Sequence, residues 1–131
     1  MKSNALLLSR DATSLVLCRR ALTDYGLEVE VKTGTRSATE TLLSNRFGTI
    51  IVDCDDLDGG KEFLVWAVHN RSQDAIIIAI TNHVTTLHEA YSLGATFVLQ
   101  KPLNPERVLR CLRATSQLLS HEPAPLTEAV Q

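Results

Sequence analysis

The chain has 131 residues, of which 44% are hydrophobic and 21% charged, with a formal net charge of −2. That length predicts one domain, and the composition excludes wholesale disorder and a coiled coil. The near-zero charge argues against a nucleic-acid domain that works by neutralising phosphates. The strongest apolar run, Ala75 to Ile80, is far shorter than the roughly 18 residues of a membrane helix, and the first residues lack the pattern of a signal peptide. We therefore expect a soluble, cytoplasmic domain without nucleic-acid or membrane partners.

Short apolar runs alternate with longer segments of helical period along most of the chain. In chain order, the sequence predicts strands at Ala5–Leu8, Leu27–Val31, Thr49–Val52, Ala75–Ile80 and Thr96–Leu99, with helices at Asp11–Tyr25, from Ser37 to about Asn45, at Gly60–Asn70, at Thr85–Leu93 and from Asn104 onward. Most of these strands are continuously apolar, which is typical of a parallel sheet covered on both faces. Leu27–Val31 alternates and indicates a strand nearer the edge.

Several helix ends are marked by specific residues. Asp11 is placed to cap the first helix, and Gly26 stands where its C-terminal cap belongs. The segment Ser37-Ala-Thr-Glu40 predicts a capping box that opens the second helix. Asn104-Pro105-Glu106 predicts the start of the last helix.

Five strands and five helices in strict alternation predict an α/β fold. Short connections and right-handed crossovers favour one open parallel sheet with helices on both faces. We expect this domain to span residues 1–120. Residues 121–131, which include His121-Glu-Pro-Ala-Pro125, have the composition of a linker or tail that can lead to an output domain.

The cysteines and histidines do not form a metal or disulfide pattern. The three cysteines have no C-x-x-C pair, and the four histidines have no H-E-x-x-H spacing. Cys18 and Cys111 are predicted to lie in the core. Cys54 is interpreted as a small loop residue in preference to a redox sensor.

Polar residues follow the strands at the edge where such sheets bind ligands. Ser9, Arg10 and Asp11 follow the first strand, Asp53 and Asp55 the third, Thr81 the fourth and Lys101 the fifth. A carboxylate nucleophile with a hydroxyl and a cation to hold phosphoryl oxygens can form an acyl phosphate. This edge is therefore the candidate site.

The residues at this edge resemble a known family. The segments Ile50-Ile-Val-Asp53, Ile78-Ala-Ile-Thr81, Gly94-Ala95 and Leu99-Gln-Lys-Pro102 occur in the order and near the spacing of CheY-like receiver domains of bacterial response regulators. The resemblance covers residues 3–119. It implies a flavodoxin-like (βα)5 fold with strand order 2-1-3-4-5.

The resemblance also implies roles for three residues. Asp53 corresponds to the phospho-acceptor, Thr81 to the hydroxyl that follows the phosphoryl group, and Lys101 to the lysine that pairs with the acceptor or its phosphate. The Lys101-Pro102 bond is often cis in the family.

The sequence departs from the family at two sets of functional positions, and the loop after Asp53 and the segment from Thr81 to Lys101 are also shorter than usual. Receivers usually carry two adjacent acids after the first strand that bind Mg²⁺, whereas Ser9 and Arg10 occupy those positions here. Val98 stands at the aromatic switch position of the fifth strand, with Phe97 beside it.

These departures affect the expected chemistry. Only Asp53, Asp55 and, at a stretch, Asp11 remain as Mg²⁺ ligands, so we expect metal binding to be weakened and name no certain cofactor. Our hypothesis is that Arg10 pairs with Asp53 as a built-in cation. Such a pair at ~4 Å is worth roughly 4 kcal/mol at an effective dielectric of about 20, before desolvation.

Two functions follow from this comparison. The first is a two-component (phosphorelay) receiver with impaired Mg²⁺-dependent phosphorylation, its only catalysis being self-phosphotransfer from a phosphohistidine donor to Asp53. The alternative is a degenerate receiver that acts as a phosphorylation-independent dimerisation or docking module. The implied partners are a histidine kinase or phosphotransfer protein, an output domain or protein, and a second copy bound through the fourth helix, fifth strand and fifth helix. A flavodoxin-like enzyme is poorly supported, since the chain has no Gly-rich phosphate loop or Cys-x5-Arg nucleophile.

Overall fold

Five strands and five helices alternate through the chain. The structure, a computed structural model, describes residues 4–55, 59–70 and 74–121, with side chains described as far as residue 114. The elements are β1 (Asn4–Leu8), α1 (Ala12–Asp24), β2 (Glu28–Lys32), α2 (Thr35–Ser44), β3 (Thr49–Asp53), α3 (Gly60–Asn70), β4 (Ile76–Thr81), α4 (Val84–Ser92), β5 (Phe97–Gln100) and α5 (Pro105–His121). The tail after His121 lies outside the described residues.

The strands form one parallel sheet in the order β2-β1-β3-β4-β5. This confirms the predicted fold class and strand order, and it places the alternating strand β2 at an edge. β3 and β4 are buried along their whole length, as their continuous apolar sequences predict. No helix in the described part of the chain is long and apolar enough to cross a membrane.

The core consists of two layers, one on each face of the sheet. On one face, alternate strand residues such as Leu7 and Ile78 pack against Cys18 and Leu22 of α1 and Val108 of α5. The opposite face packs against residues of α2, α3 and α4, among them Ala38, Phe63, Leu64, Ala67 and Ala90. Helices therefore cover both faces of the sheet, as predicted.

The buried cysteines behave as core residues. Cys18, Cys54 and Cys111 are buried, free thiols, which confirms the predicted core placement of Cys18 and Cys111. Burial, followed by the nearby charge of Asp53, raises the pKa of Cys54 to about 12. The thiol therefore stays protonated at neutral pH, which favours the packing role over redox sensing.

The helix starts agree with the sequence in two cases and differ in one. Asp11 caps α1, and the Asn104 side chain accepts the Glu106 N–H at the start of α5, at 2.9 Å. The capping-box prediction is wrong, because α2 begins at Thr35 after an N-cap at Gly34 that makes no side-chain bond. The backbone bond from Ala38 N to Gly34 O already closes the first turn, so Ser37 lies inside the helix.

Gly94 after α4 occupies a position that only glycine fits. Its φ is +112°, and a Cβ there would lie 2.7 Å from Cγ1 of Val68. We expect Gly94→Ala to lower the free energy of unfolding by about 2–4 kcal/mol, since overpacking adds to backbone strain. Urea denaturation measures this, with Gly26→Ala (φ +98°, open space) as the strain-only control. Equal losses in the two variants would contradict the packing contribution.

Candidate functional site

The sheet pairing extends beyond the strands and gathers polar residues at one edge. The Ser9 N–H donates to Lys32 O at 3.1 Å, Cys54 N to Ile80 O at 2.8 Å and Lys101 N to Thr81 O at 2.9 Å. These bonds fix the backbone just after β1, β3 and β5. The side chains of Ser9, Asp53, Thr81 and Lys101 consequently lie at the carboxyl edge of the sheet, as predicted from their positions at the strand ends.

Asp53 is fully buried, and both of its carboxylate oxygens have partners. Oδ2 lies 2.9 Å from Lys101 Nζ and accepts the Ser9 hydroxyl at 2.8 Å. Oδ1 accepts the Asp55 N–H at 3.1 Å. The side chain is 0% exposed, so the carboxylate is shielded from solvent.

Lys101 lies among three carboxylates. Besides Asp53, its Nζ is 3.4 Å from Asp11 Oδ2 and 3.6 Å from Asp55 Oδ2. Burial alone lowers the pKa of Lys101, but the hydrogen bond to Asp53 and the charges of the three carboxylates outweigh it and hold the pKa above its usual value. The ammonium is therefore the cation at the centre of the site.

Asp55 binds the segment that follows β4. Its Oδ1 accepts the Thr81 hydroxyl at 2.8 Å, and its Oδ2 accepts the Asn82 N–H at 2.6 Å. Thr81 Oγ1 in turn accepts the His83 N–H at 3.1 Å. The carboxylate thus connects the loop after β3 to the loop before α4.

The hypothesis that Arg10 pairs with Asp53 is wrong. Ser9 is still paired with β2 and buried, whereas Arg10 is the first residue beyond the sheet and is exposed. Asp53 pairs with Lys101 instead, and the ion pairs among the described residues include none from Arg10. Lys101 is therefore the residue that places a positive charge beside Asp53.

The side chains fit an ammonium ion better than Mg²⁺. Asp11 accepts from Thr13 N and the Ser14 hydroxyl, and its Oδ2 lies near Lys101. Asp53 and Asp55 likewise accept from protein donors. Within the described ranges, no group of three or more His, Cys, Asp or Glu side chains is arranged to hold a metal ion. The three carboxylates are therefore already held by protein donors and by Lys101.

Besides capping α1, Asp11 contributes to the stability of the fold in a way that depends on pH. The Ser14 hydroxyl bond, with help from Lys101 and against the effect of burial, lowers the pKa of Asp11. A lowered carboxyl pKa stabilises the fold above the unfolded value of about 3.9, and that stabilisation is lost as the pH falls through the lower folded value. We expect Asp11→Ala to cost about 1 kcal/mol at neutral pH and less in acid, in urea titrations with the exposed Asp24→Ala as control. A cost that grows in acid would contradict this sign.

An open groove of about 430 Å³ lies away from these carboxylates. It is bounded by the end of α2, by Phe47 before β3 and by Trp66 on α3. Because Phe47 precedes β3 and Asp53 ends it, the groove is at the opposite edge of the sheet.

The chain is similar to known proteins at the level of three-dimensional structure. No protein-family model and no curated protein matches the chain. Among solved structures, the chain is similar to the chemotaxis response regulator CheY4 of Vibrio cholerae, with 26% identity, a TM-score of 0.75, and coverage of 88% of this chain and 99% of that one. The chain has the fold of a CheY-like receiver domain.

Two further receiver structures are similar at lower identity. The receiver domain of NtrX from Brucella abortus is 17% identical, with a TM-score of 0.76 and coverage of 86% of this chain and 97% of that one. A response regulator from Burkholderia pseudomallei, solved with a phosphorylated aspartic acid, calcium and citrate, is 24% identical, with a TM-score of 0.74 and coverage of 94% and 74%. Both likenesses concern the receiver fold.

The receiver resemblance anticipated part of this geometry. Lys101 contacts Asp53, and the Lys101-Pro102 bond is cis, as the resemblance implied. Val98 is buried in β5 and Phe97 beside it is half-buried. Sequence reasoning missed the contacts of Asp55 with Thr81 and of Ser9 with Asp53. Asp55 lies in the loop after β3, so strand periodicity carries no signal for its contact with Thr81.

Proposed function

We propose that this chain is the receiver domain of a two-component (phosphorelay) response regulator, with Asp53 at the phospho-acceptor position and with impaired Mg²⁺-dependent phosphorylation. Its similarity to response-regulator receiver domains supports the signalling role. The observation that supports impaired phosphorylation is the burial and bonding of the Asp53 side chain. Its carboxylate is 0% exposed and is held by Ser9, Lys101 and the Asp55 N–H.

In the proposed reaction, a carboxylate oxygen of Asp53 attacks the phosphorus of a phosphohistidine donor. A P–O bond forms as the P–N bond breaks, and the departing imidazole nitrogen takes up a proton. Lys101 and Thr81 are the groups on this chain that would hold the phosphoryl oxygens. Attack requires Asp53 to become accessible and to give up part of its present bonding, which slows the transfer.

The proposed partners follow from this role. They are a histidine kinase or phosphotransfer protein as donor and an output domain or protein as receiver of the signal. A second copy would bind through α4, β5 and α5. Val84 and Tyr91 on α4 are 59% and 49% exposed, which supplies apolar surface for such a contact.

The second candidate function is a phosphorylation-independent docking module. The favouring observation is that Lys101 and Asp55 already make an ordered set of contacts with Asp53 and Thr81 in the unmodified chain. In this reading the fold is kept for its surface and not for phosphoryl chemistry.

Intact-mass analysis with a small-molecule phosphodonor and Mg²⁺ tests the proposed function. We expect the unmodified chain to gain one phosphoryl group slowly, and Asp53→Ala to gain none. The double variant Ser9→Asp with Arg10→Asp, which restores the acidic pair, is expected to react faster by roughly a hundredfold, the scale of one preorganised electrostatic contact. Rapid stoichiometric phosphorylation of the unmodified chain would contradict the impairment. An equal adduct on Asp53→Ala would contradict the acceptor assignment, and no adduct on any variant would favour the docking module.

A further inference from the structure

The contacts of Asp55 coincide with those that the receiver resemblance assigns to a phosphoryl group. Thr81 and Lys101 are the side chains that would hold phosphoryl oxygens. Both lie near the Asp55 carboxylate, Thr81 Oγ1 at 2.8 Å from Oδ1 and Lys101 Nζ at 3.6 Å from Oδ2. The Asn82 N–H donates to Oδ2 at 2.6 Å, so that a hydroxyl, an amide and an ammonium converge on one anion.

We propose that the Asp55 carboxylate is a built-in stand-in for the phosphoryl group, holding Thr81 and the β4–α4 loop in the arrangement that phosphorylation of Asp53 would otherwise produce. The inference rests on the proposed function for the roles of Thr81 and Lys101. It deepens that function by naming what regulates the site. The regulator is a side chain of the same loop, two residues after the acceptor.

The burial and connectivity of Asp55 support this role. Its side chain is only 9% exposed, although the residue lies in a loop at the edge of the sheet. A buried carboxylate of this kind is stable only where donors compensate its lost hydration, and these donors come from the loop before α4 and from Lys101. The position of that loop therefore depends on the negative charge of the Asp55 carboxylate.

The position of Asp55 in the chain makes it a strong competitor. Because it is joined to Asp53 through one residue, its carboxylate is held beside Thr81 at a high effective concentration. A phosphoryl group on Asp53 would have to displace it to reach the same donors. In the docking-module alternative, an occupied site of this type would hold the loop before α4 in place without phosphorylation.

Amide hydrogen exchange of Asn82 and His83, measured by NMR without any phosphodonor, tests the proposal. In Asp55→Ala we expect exchange of the Asn82 amide to become faster by about tenfold or more, because a charge-assisted bond is lost. Adding formate or inorganic phosphate to that variant is expected to slow the exchange again as the anion enters the vacated site. The same anions should not change Asn82 exchange in the unmodified chain.

Two further variants keep the test decisive. Asp24→Ala removes an exposed carboxylate elsewhere and should leave Asn82 exchange unchanged. Asp55→Asn keeps the side-chain shape without the charge and is expected to give a smaller increase, so it replaces Asp55→Ala if that variant fails to fold. Unchanged Asn82 exchange in the Asp55 variants overturns the proposal. The proposal is also overturned if neither formate nor phosphate slows Asn82 exchange in Asp55→Ala. Slower exchange with either anion supports the proposal.

This outcome is separable from that of the proposed function. The exchange measurement involves no phosphoryl transfer, so it reports on Asp55 whether or not Asp53 can be modified. The mass measurement reports on Asp53 alone. Rapid phosphorylation of the unmodified chain would contradict the proposed impairment of phosphorylation. Fast Asn82 exchange in Asp55→Ala would still support the proposed role of the Asp55 carboxylate.

Discussion

Lys101→Met is expected to lower the free energy of unfolding by about 3–5 kcal/mol, the cost of removing one partner from a buried ion pair. The variant keeps most of the apolar stem but leaves Asp53, which is 0% exposed, without its ammonium partner at 2.9 Å. Asp11 and Asp55 would then face Asp53 without an intervening cation. Urea denaturation at neutral pH measures the loss.

The pH dependence of this loss has a defined sign. Because the pKa of Lys101 is raised in the fold, its stabilising contribution is fully present below the unfolded value of about 10.4 and disappears only as the pH rises through the higher folded value. Titration of Lys101 itself should therefore add no pH dependence to this loss between about pH 6 and about pH 9.

Lys61→Met is the matched control for the buried pair. Lys61 also contacts a carboxylate, Glu89, at 3.0 Å, but the two side chains are 48% and 55% exposed. We expect a much smaller change there, because solvent screens an exposed ion pair. Combining Lys101→Met with Asp53→Asn should recover part of the loss, since the unpaired charge is removed. A loss at Lys101 no larger than that at Lys61, or no recovery in the double variant, would contradict a buried charge network.

The sequence predicts the fold well because burial on both faces leaves a simple pattern. The fully buried strands β3 and β4 are continuous apolar runs, and β2, at the edge, alternates. These patterns depend on backbone periodicity alone. The start of α2 was misplaced because Ser37 and Glu40 satisfy a capping pattern that the backbone bond at Gly34 makes unnecessary.

The candidate site could be predicted only as far as strand ends determine it. Asp53 and Thr81 end two neighbouring parallel strands and Lys101 directly follows a third, so their meeting depends on topology. The direction of Arg10 depends instead on where the pairing of β1 with β2 stops, one residue earlier at Ser9. The reach of Asp55 depends on the course of the loop after β3. Neither is encoded in hydrophobic periodicity.

Ser9→Asp is expected to make the stability of the fold depend on divalent metal. Ser9 is fully buried and its Oγ lies 2.8 Å from Asp53 Oδ2, so a carboxylate at this position would face that of Asp53. Two like charges about 4 Å apart repel by roughly 4 kcal/mol at an effective dielectric of about 20. We expect a loss of several kcal/mol in the presence of a chelator, measured by urea denaturation.

Added Mg²⁺ should restore much of the stability lost in Ser9→Asp, because an ion that binds only the folded state stabilises it by about 2.7 kcal/mol at a hundred times its dissociation constant. Ser9→Ala is the matched control. It loses the hydroxyl bond to Asp53 at a cost of about 1 kcal/mol and should not respond to Mg²⁺. If the unmodified chain gains as much stability from Mg²⁺ as Ser9→Asp does, the proposed impairment of metal binding is wrong. A response confined to Ser9→Asp would attribute that impairment to the replacement of a carboxylate by a hydroxyl after β1, with Lys101 as the remaining cation of the site.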